Sequence, residues 1–128
     1  MKIAANAADI VDSLDDFRIE KIEVPEWNLV VHIRTMSAKA HDDFDSSITD
    51  SNGNVIQDGI HAKILSSTLC DESGNCLFSI KDVEKLAKKS STVIRRLADR
   101  AIKLNRINKG ADAEKKDDSD LAQTVSSQ

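Results

Sequence analysis

At 128 residues the chain is long enough for one domain with a modest core, and too short to house a large enclosed active site. Phe17, Trp27, Phe44 and Phe78 are its only aromatic residues, so the core must be built from Ile, Leu, Val and Ala; each of these stabilises by roughly 1.5–3 kcal/mol when fully buried, which points to modest stability and some reliance on partners. A net charge of -4 and a pI near 5.3 argue against a dedicated nucleic-acid domain.

The remaining composition narrows the class further. Two cysteines, Cys70 and Cys76, are too few for a disulfide scaffold. They bracket a turn, so a cross-hairpin disulfide is conceivable, but two packed free thiols are expected in a reducing cytosol. The segment before Asp9 lacks the continuous apolar stretch of a secretory leader, and no apolar run reaches the ~20 residues of a membrane span. A soluble, cytosolic protein is expected. Its charge is unevenly spread: residues 1–60 carry -7, 61–80 carry -1, 81–109 carry +7 and 110–128 carry -3. Such a bipolar chain suits contact with itself or another protein through opposite patches, although each run is equally readable as a solvated helix face.

In chain order, residues 1–16 read as a loosely ordered segment in which Ile10, Val11 and Leu14 make at most one weak amphipathic turn. From Phe17 the pattern becomes two-residue alternation. Ile22 and Val24 precede Pro25-Glu26-Trp27-Asn28, and Leu29, Val31 and Ile33 then share one face, predicting a β-hairpin over 17–34. Pro25 cannot donate to a ladder and belongs at the strand end. Ser37 is placed to N-cap a helix over 37–48 with Ala40, Phe44 and Ile48 on its stripe. Asp50 to Asn54 form a loop, and a second helix over 58–69 follows on Ile60, Ile64 and Leu65, with Gly59 leaving its start open.

Leu69 to Phe78 read as a short hairpin or an extended loop. Ser79 and Asp82 resemble a capping box opening a helix over 80–89. Ser90 or Ser91 caps the last helix, 91–106, whose Val93, Ile94, Leu97, Ala98, Ala101, Ile102 and Leu104 give the strongest apolar stripe in the chain. Arg95, Arg96, Arg100, Lys103 and Arg106 occupy its other side. Residues 110–128 have the composition of a flexible polar tail. The expected fold is therefore α+β, predominantly α-helical: an N-terminal β-hairpin, about four helices in a single domain over 17–109, and a disordered C-terminal tail.

No catalytic chemistry emerges. His32 sits on a strand among apolar residues. On a helix His41 and Asp45 converge, but they supply two ligands where a closed zinc site needs about four. Asp50 to Asn54 have calcium-loop composition without the closing Glu. With four glycines there is no phosphate-cradling motif. No enzyme activity, cofactor or metal is expected. The basic segment 81–109 could track phosphates, which keeps a small nucleic-acid-binding or regulatory domain as the alternative function, but no aromatic residue there could stack on a base.

Several motifs nevertheless occur in a familiar order: Val24-Pro25-Glu26-Trp27, the strand Leu29 to Arg34 with the Ser37 helix, Asp71-Glu72-Ser73-Gly74-Asn75-Cys76-Leu77-Phe78, Val83-Glu84-Lys85-Leu86-Ala87-Lys88-Lys89-Ser90, and Leu104-Asn105. Over Ile19 to Asn105 this resembles the tail assembly chaperones of siphophages and their prophages. Relatives often carry Gly where Asn28 and Ala87 stand, which predicts a different turn after Trp27 and an unbroken helix through Ala87. The resemblance implies a non-enzymatic protein of the host cytoplasm, absent from the finished virion. It would hold the long tape measure protein until tail tube subunits polymerise around it.

The family's frequent production in two lengths by programmed frameshifting makes this chain look like the shorter form. Lys115-Lys116 mark where a slippery codon run would lie, which the gene sequence decides. Trp27, Met36, Phe44 and Phe78 are the candidate partner-binding residues, with Val93, Leu97, Ala101 and Leu104 as core, although all eight could equally be core. Arg95, Arg96, Arg100, Lys103 and Arg106 are candidates for self-association, docking head to tail on the acidic half of another copy, with a closed dimer as the alternative. Size-exclusion chromatography at low and high salt tests this: a monomer at both, at high protein concentration, counts against it.

Overall fold

The computed structural model describes residues 1–13 and 16–107. Five helices and a three-stranded antiparallel sheet follow in the order α1 (Ala7–Val11), β1 (Ile19–Val24), β2 (Leu29–Arg34), α2 (Ala38–Ser47), α3 (Ile60–Thr68), β3 (Leu69–Cys70), α4 (Val83–Ala87) and α5 (Ser91–Asn105). The fold is α+β, as expected. The expected polar tail, 110–128, and the lysine pair at 115–116 lie outside the described residues.

The β1–β2 hairpin forms where the alternation placed it, with Ile22 opposite Val31 and Val24 opposite Leu29. Its connection is a single 3-10 turn, Pro25–Trp27, and Pro25 stands at the first position of that turn, where an amide hydrogen is not needed. Asn28 then takes a left-handed conformation (φ 53°) and returns its amide to the Pro25 carbonyl at 3.0 Å. Asn tolerates that region better than other side-chain-bearing residues. The expectation of a different turn therefore needs correcting in its reasoning: Asn28 occupies a conformation that would equally suit Gly.

α3 is the central element. Ile60, Ala62, Ile64, Leu65, Ser66 and Thr68 are all buried, because α2, α4, α5 and the sheet pack around it. A helix apolar on most sides must be enclosed. Its two buried hydroxyls are satisfied within the helix: Ser66 donates to the Lys63 carbonyl at 2.7 Å and Thr68 to the Ile64 carbonyl at 2.9 Å. Val93, Leu97, Ala98 and Ala101 of α5 pack on α3 and complete a core shared with Ile22, Val24, Ile33, Phe44 and Leu86.

The helix starts match the capping signals unevenly. The Ser37 hydroxyl accepts from the Ala40 amide at 3.1 Å. The Ser79–Asp82 box is present, but it opens a 3-10 turn, Ile80–Asp82, which continues into α4. Here the structure corrects the expected helix over 80–89. α4 ends at Ala87, and Lys89 closes the turn by donating to the Leu86 carbonyl at 3.1 Å. Ser90 is then extended and caps α5 with no side-chain bond. The segment before the hairpin also forms a short helix, α1, capped by the Asn6 side chain, and none of its residues is buried.

The extended stretch after α3 becomes the third strand. Cys70 pairs with His32 and Leu69 with Ile33. The following tip, 71–75, repeats the architecture of 50–54. In each, an Asp Oδ1 accepts two amides, those of Asn52 and Asn54 for Asp50 and of Ser73 and Asn75 for Asp71, all at 2.9 Å. Gly53 and Gly74 supply the positive φ both turns need. The two tips share one sequence signal, an Asp followed three and four residues later by Gly and Asn.

Candidate partner-binding groove

The geometry of β2 creates the most distinctive surface. Thr35 donates its amide to the Arg18 carbonyl at 2.9 Å, just beyond the β1–β2 ladder. Successive residues of a strand direct their amide and carbonyl to opposite sides, so Leu29, Val31 and Ile33 bond towards β1 while Val30 and His32 face the other edge. Cys70 sits opposite His32 on that edge, but β3 is two residues long. Among the described residues no strand lies beside Val30.

That open edge forms one wall of an apolar groove of about 890 Å³, closed on the far side by Leu77, Phe78 and α4. Leu29, Val30 and Leu77 remain more than half exposed in it, at 57 %, 52 % and 59 %. Leu29 shares its face with Val31 and Ile33, as the alternation indicated. Exposure nevertheless rises from Ile33 at 0 % to Leu29, because the hairpin projects past the core. Lys85, Lys89, Glu26, Asp71 and Glu72 are the charged residues of the groove's lining. The Lys89 ammonium stands 5.0 Å from the centre of the Trp27 ring, a cation–π contact worth about 0.5–1 kcal/mol at an exposed site.

The four candidate partner-binding residues divide. Trp27 and Phe78 both line the groove, each half-buried with part of its ring against the core. Met36 lies apart, in a shallow depression with Arg18, His41 and Leu104. Phe44 is 1 % exposed and packed in the core, which is the other of the two readings its sequence position allowed. Of the expected core positions, Val93, Leu97 and Ala101 are buried, and Leu104 is partly buried against the same cluster.

The basic face of α5 is partly consumed within the chain. Arg96 makes a bidentate pair with Glu26 (2.6 and 2.8 Å), and Arg100 meets Glu20 at 2.5 Å. The Arg96 guanidinium holds the Glu26 carboxyl down at about 2, well below its usual 4.5, and Arg96 is raised in turn. These pairs clamp the hairpin onto α5, so part of the charge separation seen along the sequence is neutralised by the fold. Arg95, Lys103 and Arg106 make no ion pair among the described residues.

Asn105 entered the sequence reading only as part of the Leu104-Asn105 motif, with no role assigned. Its Oδ1 accepts the Met36 amide at 2.7 Å, and its Nδ2 reaches the carbonyls of Ala101 (2.9 Å) and Arg34 (3.3 Å). One side chain thereby ties the end of α5 to the β2–α2 junction. Arg18 adds a bond to the Leu104 carbonyl at 2.9 Å. Elsewhere, ligand atoms of His41, Asp42 and Asp45 lie within 4.8 Å of one another, one more residue than helical spacing suggested. All three are at the surface, and His41 already pairs with Asp45 at 3.3 Å.

An open strand edge beside an apolar groove, on a small α+β domain, is a surface suited to docking another chain. The comparisons with known proteins agree. A family model described as phage tail assembly chaperone matches residues 6–116, and the chain belongs to that family. The fold is similar to the solved structure of the bacteriophage HK97 tail assembly chaperone, at 21 % identity and a TM-score of 0.55, over 80 % of this chain and 89 % of that one. No curated protein gives a match.

Proposed function

We propose that this chaperone holds the tape measure protein of its phage, shielding apolar helical segments until tail tube subunits displace it. The observation that carries the reading is the groove: Leu29, Val30 and Leu77 stay exposed together beside Trp27 and Phe78, with no segment among the described residues to cover them. An aggregation-prone, elongated client needs apolar cover, and an amphipathic segment laid into such a groove supplies it. Affinity per copy is low with two aromatic anchors, and many copies along one client raise it by avidity. Release to the tube protein then remains possible. On this reading the protein acts in the host cytoplasm, stays out of the finished virion, associates with itself, and is accompanied by a longer frameshifted form.

The alternative use of the basic segment on nucleic acid is less well supported. Two of its arginines are engaged by Glu20 and Glu26, and the exposed apolar groove has no role in phosphate tracking. The test is co-expression with the large tape-measure-like protein encoded by the same phage. The wild-type chain is expected to keep that protein in the soluble fraction and to co-purify with it. Leu29→Asp combined with Leu77→Asp, both exposed and dispensable for the core, should abolish capture while circular dichroism and thermal melting stay unchanged. Undiminished capture by the folded double variant would sink the groove as the binding surface.

A further inference from the structure

Cys70 and Cys76 are both free thiols, the first buried and the second exposed. They stand directly opposite each other in an antiparallel bridge. Two hydrogen bonds flank the pair: Asp71 donates to the Asn75 carbonyl at 2.9 Å and Leu77 to the Leu69 carbonyl at 3.0 Å. Hydrogen-bonded and non-hydrogen-bonded pairs alternate along such a ladder, so Cys70 and Cys76 form a non-hydrogen-bonded pair. There the Cα atoms approach to about 4.5 Å and the Cβ atoms to about 4.5–5.5 Å. A disulfide accepts Cα separations of about 4.4–6.8 Å and Cβ separations of about 3.5–4.5 Å. Closing the bond therefore asks for at most about an ångström of approach at Cβ, with no change of register.

We propose that Cys70 and Cys76 are a site of reversible oxidation, closing as an intramolecular disulfide across the hairpin when a small-molecule disulfide such as oxidised glutathione is present. The exposed Cys76 thiolate attacks one sulfur of the oxidant. The oxidant's S–S bond breaks, one glutathione thiolate leaves, and a Cys76–glutathione mixed disulfide remains. Cys70, its proton given to solvent, attacks the Cys76 sulfur. The mixed bond breaks, the second glutathione thiolate leaves, and the Cys70–Cys76 bond is made. Two protein thiols are oxidised, one small disulfide is reduced to two thiols, and the protons lost by the cysteines are balanced by those the leaving thiolates take up.

The order follows from exposure. Cys76 is open to the oxidant, whereas burial pushes the Cys70 thiol up, with Asp71 and Cys76 adding to the rise and Arg34 opposing it. That makes Cys70 the resolving partner. The consequence for the groove rests on the client-binding reading above: Asp71, Glu72 and Leu77 bound the groove on either side of this bridge, so the disulfide would fix one of its walls.

The experiment treats the full-length chain with oxidised glutathione, then alkylates remaining thiols and weighs the protein. The expected product is a monomer lighter by two hydrogens, with no alkylatable thiol, restored by dithiothreitol. Amide exchange at Asp71, Gly74 and Leu77 should slow several-fold on oxidation. Cys70→Ser should stop at a glutathione adduct on Cys76. A wild-type chain that also stops at that adduct with Cys70 still alkylatable, or that forms only intermolecular dimers, would overturn the proposal. Client capture by the oxidised monomer is measured separately. A reduced chain that captures no client counts against the groove reading and leaves the disulfide standing, because the mass change supports the disulfide independently.

Discussion

Replacing Asn105 with Ala removes three hydrogen bonds, two of which, to the Met36 amide and the Arg34 carbonyl, join segments roughly seventy residues apart in sequence, while the third returns to Ala101 one helical turn back. The half-buried Met36 amide loses its acceptor, and an unsatisfied buried donor costs about 1–3 kcal/mol. The Arg34 and Ala101 carbonyls lose a donor but are more easily rehydrated at the end of α5. Ala is the better helix former, which offsets about 0.5 kcal/mol. The expected net loss is about 2 kcal/mol. For a domain of this size that lowers Tm by roughly 8–16 °C, and with a urea m-value near 1–2 kcal/mol/M it moves the midpoint by about 1–2 M. Urea unfolding followed by the single Trp27 and by far-UV circular dichroism measures it. A midpoint within about 0.2 M of wild type, at unchanged m, would mean that the Asn105 bonds only decorate a junction already fixed by apolar packing.

Other outcomes follow from the same geometry. Phe44→Ala should cost about 3–5 kcal/mol by emptying the core, and should impair client capture only in proportion to unfolding, unlike the groove variants. Glu26 is held at about 2 when folded against an ordinary 4.5. Its carboxylate therefore contributes stability that is fully present above the unfolded value and is lost as pH falls from about 4.5 to 2. Asp71 and Asp82 are lowered for a related reason, accepting backbone amides, and reinforce the same trend. Acid titration of Tm should show this loss, shallower in Glu26→Gln and in high salt. The reasoning fails if Glu26→Gln and wild type melt in parallel across that window.

Periodicity made the fold class, the hairpin and the long helix α5 legible in the sequence. The reason is physical: a strand or helix that buries one face must repeat its apolar residues at the matching period. Ser37 and the Ser79–Asp82 box were legible because capping is decided within one turn of chain. The family resemblance rested on motifs that turn out to hold structural posts, the Pro25–Trp27 turn, the 71–75 tip and Asn105.

The groove was not legible, because it depends on where elements stop relative to each other. Alternation assigns Leu29, Val31 and Ile33 to one face, but only the tertiary structure shows that the hairpin outruns the core and that β3 ends after Cys70, leaving Val30 open. The scarcity of aromatics drew attention to Phe44 without revealing that α2 turns that side inward. Charge counting along the chain likewise found a bipolar molecule, whereas Glu26 and Arg96, far apart in sequence, cancel where packing brings them together. Local patterns fix what each segment can bury. Which surfaces and charges remain free for a partner is settled by contacts between distant segments, and those are carried by the fold alone.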